Sequence, residues 1–240
     1  TDEIMREEKE PIDDKINSMT LDEKIGQMII TGFNGSEYND DMDRLINEYK
    51  VGGVILFARN IEDSNQMIDL TRALQENNNN LPLFISIDEE GGRVSRLPDD
   101  VEKFPSAFTI GLINDQQIAY ENGKEIGYTL KRLGINLDYA PVLDIYSNEN
   151  NTVIGDRAFS TEESIVSTMG IATMEGIEDA DIIPVVKHFP GHGDTEVDSH
   201  YGLPIVYKTL EELRNFEFIP FVKAIESGCD VIMVSHIILN

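Results

Sequence analysis

The sequence predicts an α/β fold of the (β/α)8 TIM-barrel type, with only about six βα units present in its 240 residues. Two observations carry that expectation. Short apolar, β-rich runs alternate with stretches of helical period, the pattern of parallel strands joined by crossover helices. No apolar run approaches the roughly 18 residues a membrane-spanning helix needs, so the apolar residues are expected to build a buried core. A single domain over residues 1–240, with 1–18 as an N-terminal arm, is the organisation this length suggests.

The elements follow in order. Thr1 to Pro11 is acidic and reads as a solvated arm or capping helix. Predicted strands run Ile25 to Phe33, Gly53 to Ala58, Leu81 to Asp88, Asn136 to Asp144, Ile182 to His188 and Asp230 to Ile237. Helices are expected at Asp41 to Tyr49, Asp63 to Glu76, Asp115 to Leu133, Thr161 to Ile177 and Leu210 to Ser227, several opening on an Asp or Thr cap. The Asn77 to Asn80 run stops a helix and enters the third strand through Pro82. A barrel closes with eight strands. Six would leave the first and sixth with unpaired edges, so we expect either a continuation beyond Asn240 or cover from another chain.

Charge and cysteine usage narrow the partners. Lys and Arg total 19 against 45 Asp and Glu, a net charge of −26 that repels polyphosphates and anionic lipid, so no nucleic-acid or membrane-surface role is expected. The one cysteine, Cys229, lies in an apolar run and excludes an internal disulfide framework or a multi-thiolate zinc site. The N-terminus is charged and lacks a signal peptide's apolar region, yet it starts at Thr1, which leaves room for a leader, a lipid-attachment segment or cloning residues upstream. Location is therefore not read from this end.

In such a fold, chemistry gathers where strands end and the following loops begin. After the third strand stands Asp88-Glu89-Glu90-Gly91-Gly92-Arg93, then Arg96; after the fourth, Asp138, Asp144 and Gly155-Asp156-Arg157. After the fifth, Lys187 to His200 holds three of the four histidines, and after the sixth come Ser235 and His236. Asp198 and His200 are one residue apart, so the carboxylate can fix the imidazole tautomer and the pair can exchange a proton near neutral pH. Asp88 and Arg96 flank a Gly-Gly turn and suit either a sugar grip or an internal salt bridge closing the loop. Lys187 ends an apolar strand and must point into a polar site or meet a carboxylate.

Four of these stretches occur in a fixed order. They are Met19-Thr20-Leu21-Asp22-Glu23-Lys24-Ile25-Gly26-Gln27-Met28, Asp88 to Arg96, Gly155-Asp156-Arg157-Ala158-Phe159-Ser160, and Lys187 to Pro204 ending in Asp198-Ser199-His200-Tyr201-Gly202-Leu203-Pro204. Together they resemble, over nearly the whole chain, the catalytic barrel of the glycoside hydrolase family 3 β-N-acetylhexosaminidases. Those enzymes release N-acetylglucosamine from cell-wall fragments. The last stretch marks the N-acetylhexosaminidase branch, because the family's β-glucosidases lack the Asp-Ser-His arrangement.

The resemblance implies that Asp88, Arg96, Arg157, Lys187 and His188 bind the sugar, with His200 as general acid/base and Asp198 as its partner. It implies a retaining mechanism without metal or cofactor, acting on terminal N-acetylglucosamine of peptidoglycan fragments. The family's nucleophile is an aspartate after the seventh strand. It is expected beyond Asn240, so the 240-residue piece alone is expected to be inactive; Asp144 and Asp156 do not occupy the matching motif. Peptidoglycan, chitin oligomers and glycoprotein sugars stay open as sources of the sugar. The family has cytoplasmic and exported, lipid-anchored members, and the arm before Met19 favours the latter.

Three other readings stay open. His188, His192, Asp194, Asp198 and His200 could ligate a divalent ion in a metal-dependent hydrolase. A non-catalytic carbohydrate-binding protein could keep the sugar loops without the nucleophile. A histidine acid/base would also repel phosphate less than a carboxylate does, which permits a phosphorylase.

Overall fold

A computed structural model describes residues 12–195 and 204–239. Its core is a sheet of six parallel strands in the order β1 (Ile30–Gly32), β2 (Gly53–Ile55), β3 (Phe84–Ile87), β4 (Leu137–Asp138), β5 (Ile183–Phe189) and β7 (Val231–Val234). The strand sequence is that of a partial (β/α) barrel. Among the described residues β1 and β7 do not pair with each other, so the sheet stays open. A second, two-stranded parallel sheet pairs β6 (Ile205–Val206) with β8 (Ile238–Leu239).

The helices are α1 (Ile12–Ser18), α2 (Leu21–Gln27), α3 (Asp40–Asp43, continued by a π turn over Arg44–Glu48), α4 (Ser64–Glu76), α5 (Ala107–Ile113), α6 (Gln116–Arg132), α7 (Glu163–Asp179), α8 (Leu210–Arg214) and α9 (Phe218–Glu226). All six predicted strands are found; five are shorter than expected, β5 keeps its length but is shifted by one residue, and the first starts later. Residues Leu21–Gln27 are helical because Thr20 and Glu23 form a reciprocal cap. Ile25 therefore lies in α2, and β1 begins only at Ile30. The expected single helix over Leu210 to Ser227 is two helices. α1 buries none of its residues.

Burial follows period. α4 buries Met67, Leu70, Thr71 and Leu74 at helical spacing, and the three apolar ones share a core with the strand residues Val54, Ile85 and Ile87 and with Leu56 just after β2. α7 is buried on two sides, because it sits between α6 and α9. Its contact with α6 is a backbone-to-backbone approach. A Cβ on Gly123 would stand 2.2 Å from the Thr173 carbonyl oxygen, and one on Gly176 would stand 2.1 Å from that of Tyr120. Phe221 of α9 closes the end of the core by meeting Phe189 edge to face, with ring centroids 5.4 Å apart.

Candidate active site

The C-terminal ends of β3, β5 and β7, with Phe57 after β2 and the 153–157 segment of the loop after β4, enclose one cleft of about 360 Å³. Asp88, Glu90, Arg96, Arg157, Lys187, His188, His192, Ser235 and His236 border it, drawn from loops far apart in the chain.

Lys187 is the pivot. It is 1% exposed, and burying an ammonium is tolerable only when it is paired. Its Nζ lies 2.8 Å from Asp88 Oδ1 and 2.6 Å from Glu90 Oε1. Burial works to lower its pKa, but the charges of Glu90 and Asp88 prevail and raise it, so Lys187 stays charged. Glu90 in turn takes a two-pronged contact from Arg157, Nε to Oε2 and Nη2 to Oε1, both at 2.8 Å. Burial opposes the charge on Glu90. Lys187 and Arg157 outweigh it and bring its pKa down to about 2.

The row continues into the loop after β4. Arg157 Nη2 lies 3.3 Å from His188 Nε2, and His188 Nδ1 lies 2.6 Å from Asp144 Oδ2. Asp144 is fully buried, and burial alone would raise its pKa. His188 and the His192 backbone N–H, which donates to Oδ1 at 2.7 Å, hold it below the usual carboxylate range instead. For His188, burial together with Lys187 and Arg157 outweighs Asp144 and lowers the pKa, which favours a neutral ring. Charge thus alternates along Asp144, Arg157, Glu90, Lys187 and Asp88, with a neutral imidazole inserted.

The surrounding loops are braced. Gly91 and Gly92 turn with φ of +75° and +58°, a conformation that costs a side-chain-bearing residue, and bring Arg96 back toward the strand end. Glu89 Oε2 accepts the Arg96 backbone N–H at 3.0 Å. Asn151 ties two loops together: its Nδ2 donates to the carbonyls of His192 and Gly193, while its Oδ1 accepts from Val153 and Ile154 N–H. Arg93 pairs with Asp156 at 2.7 Å and caps carbonyls of residues 152–154.

All five residues expected to bind sugar, Asp88, Arg96, Arg157, Lys187 and His188, therefore border one cleft. The internal Asp88–Arg96 salt bridge does not form. Asp88 pairs with Lys187, and among the described residues the Arg96 guanidinium reaches only the Ser95 carbonyl, at 3.3 Å. The expected acid/base pair, Asp198 and His200, lies outside the described residues. Sequence reasoning passed over Glu90, although the signal was present: a lysine ending an apolar strand requires a carboxylate. It also set Asp144 aside, and the structure commits that carboxylate to His188 and His192. Among the described residues no group of three or more His, Cys, Asp or Glu gathers as a metal would need.

A parallel α/β half-barrel with a polar cleft at its strand C-termini is the scaffold of a barrel enzyme. Residues 20–240 match the glycosyl hydrolase family 3 N-terminal domain, and the chain belongs to that family. β-Hexosaminidase A of Pseudoalteromonas piscicida is 41% identical over 206 residues, covering 82% of this chain and 34% of that protein. The β-hexosaminidase of Nitrosomonas eutropha is 37% identical, covering 78% and 55%. Among solved structures, a family 3 β-N-acetylglucosaminidase from Paenibacillus sp. superposes with a TM-score of 0.90 at 43% identity, covering 92% of this chain and 43% of that one. NagZ from Neisseria gonorrhoeae in complex with N-trifluoroacetyl-D-glucosamine gives 0.82 at 29% identity, covering 88% and 64%. The chain thus spans about a third to two thirds of the relatives it matches.

Proposed function

We propose that the protein is a β-N-acetylhexosaminidase that removes terminal N-acetylglucosamine with retention of configuration, with peptidoglycan fragments as the natural source. The row Asp88–Lys187–Glu90–Arg157–His188–Asp144 carries this reading. Its first five members line a cleft of monosaccharide scale with alternating acceptors and donors, the pattern a neutral polyhydroxylated ligand requires, and Asp144 backs them from the buried side. The names of the relatives support the same assignment.

In this mechanism Asp88 and Arg96 reach hydroxyl groups from the β3 loop, while Lys187, Arg157 and His188 hold the ring from β5 and the 155–157 turn. His200, oriented by Asp198, protonates the leaving oxygen and then takes a proton from the attacking water. The nucleophile is assigned to a segment outside this sequence. Asp88, Glu90 and Asp144 are already engaged by Lys187, Arg157 and His188. Residues 1–240 are assigned to a single, incomplete catalytic barrel domain, with residues 1–18 as its arm.

The test is release of nitrophenol from 4-nitrophenyl N-acetyl-β-glucosaminide by the 240-residue chain and by the product of the whole gene, side by side. Activity in the longer protein alone is the expected result. Turnover by the short chain would return the covalent step to a carboxylate within it, and loss of activity with a chelator would favour the metal-dependent alternative.

A further inference from the structure

We propose that Asp144 is a positioning residue: it holds the His188 imidazole in the Nδ1–H tautomer, so that Nε2 turns its one lone pair toward Arg157 at the wall of the cleft. The tautomer follows from contacts at both ends of the ring. An ionised carboxylate only accepts hydrogen bonds, so the nitrogen 2.6 Å from Asp144 Oδ2 must carry the proton. A guanidinium only donates, so the nitrogen 3.3 Å from Arg157 Nη2 must not.

Reversing the tautomer would set N–H against N–H at Arg157 and a lone pair against the carboxylate. A protonated ring would place a third cation beside Lys187 and Arg157. Each end selects the same form, and the lowered pKa of His188 agrees with it.

Asp144 does more than orient one ring. Its Oδ1 accepts the backbone N–H groups of His192 at 2.7 Å and of His188 at 3.3 Å, so one buried carboxylate ties the end of β5 to the root of the loop that continues toward Asp198 and His200. The two oxygens therefore have separable duties, Oδ2 for the imidazole and Oδ1 for the backbone. An Asp144→Asn variant can keep the second duty while replacing the first by an N–H donor.

The consequence for sugar affinity rests on the function proposed above; the tautomer does not. The experiment uses the whole gene product with 15N-labelled histidine and records long-range 1H–15N couplings of the His188 ring at neutral pH, assigned by their loss in His188→Gln. A protonated Nδ1 with a bare Nε2 is expected. An Nε2–H tautomer or an imidazolium in the unaltered protein would overturn the proposal, and this result needs no folded Asp144 variant.

Asp144→Asn is then expected to shift the ring to Nε2–H and to weaken N-acetylglucosamine binding on the order of tenfold, seen as a rise in KM larger than the fall in kcat. An unchanged tautomer with unchanged affinity in Asp144→Asn would also overturn it. If the unaltered protein shows the expected tautomer yet binds no N-acetylglucosamine, the tautomer assignment is upheld and the sugar reading falls.

Discussion

Replacing Glu90 by glutamine removes one charge from the centre of the site with almost no change of shape. The structure fixes the scale of the effect. In place of its ordinary value of 4.5 the carboxyl titrates at about 2, and at about 1.4 kcal/mol per pKa step the folded protein prefers the charged form by about 3 kcal/mol. The side chain is 3% exposed, so solvent screens little of this.

The glutamine also points an N–H at Lys187 or Arg157, leaving a buried donor facing a cation, which places the loss in the range of about 3–5 kcal/mol known for broken buried pairs. With a urea dependence of about 2–3 kcal/mol per M, the unfolding midpoint of Glu90→Gln at pH 7 is expected to fall by about 1–2.5 M. Because the folded-state pKa is depressed, the stabilisation is fully present above about pH 4.5 and is lost as pH falls toward about 2. The gap between the two proteins should hold from neutrality to about pH 5 and narrow below it. A midpoint shift under about 0.2 M at pH 7, or a gap that ignores acid, would refute the assignment of Glu90 as the charged hub.

Other substitutions probe separate parts of the molecule. Arg96→Ala should chiefly weaken sugar binding, and a normal inhibitor affinity would return Arg96 to a loop-bracing role. In the whole gene product, His200→Ala should depress turnover of N-acetylglucosaminides with poor leaving groups far more than of aryl glycosides with good ones, because only the former need protonation; equal losses would remove His200 from acid/base chemistry. Gly123→Ala, whose new Cβ would meet the Thr173 carbonyl at 2.2 Å, should destabilise by at least about 2 kcal/mol in the same urea titration, and a neutral result would show that α6 and α7 separate easily.

Much of this was legible in the sequence, and the failures have physical causes. Apolar runs located all six main strands but, β5 apart, overstated their lengths; beyond the end of β4, for example, Val142 makes only an isolated bridge to Lys187 in place of a continued ladder. Ile25 was drawn into β1 by its apolar neighbours, although the Thr20–Glu23 cap already marked a helix start. α5 is short and apolar, opened by Ser106 and closed by Asn114 in a left-handed conformation, and its cap residues were its only local signal. The strands Ile205–Val206 and Ile238–Leu239 are two residues each, too short for any period to show.

At the site, residue types in loops after strands pointed to the right places. Partnerships did not follow from spacing: Asp88 and Arg96 are close in sequence, yet Lys187, 99 residues away, is the group that Asp88 holds.

That separation has a kinetic consequence. The Lys187–Asp88 and Arg157–Glu90 contacts close loops of 99 and 67 residues, so no local fragment can hold the row together. β3, β5 and the 155–157 turn must dock before the charges meet, and until then each is left in water. The cleft is therefore a late product of folding, and a ligand that fits it binds only chains that have completed the sheet. Saturating such a ligand at about a hundred times its dissociation constant adds about 2.7 kcal/mol to the assembled state. Ligand titration then doubles as a count of correctly folded molecules, with partly assembled chains silent in the assay.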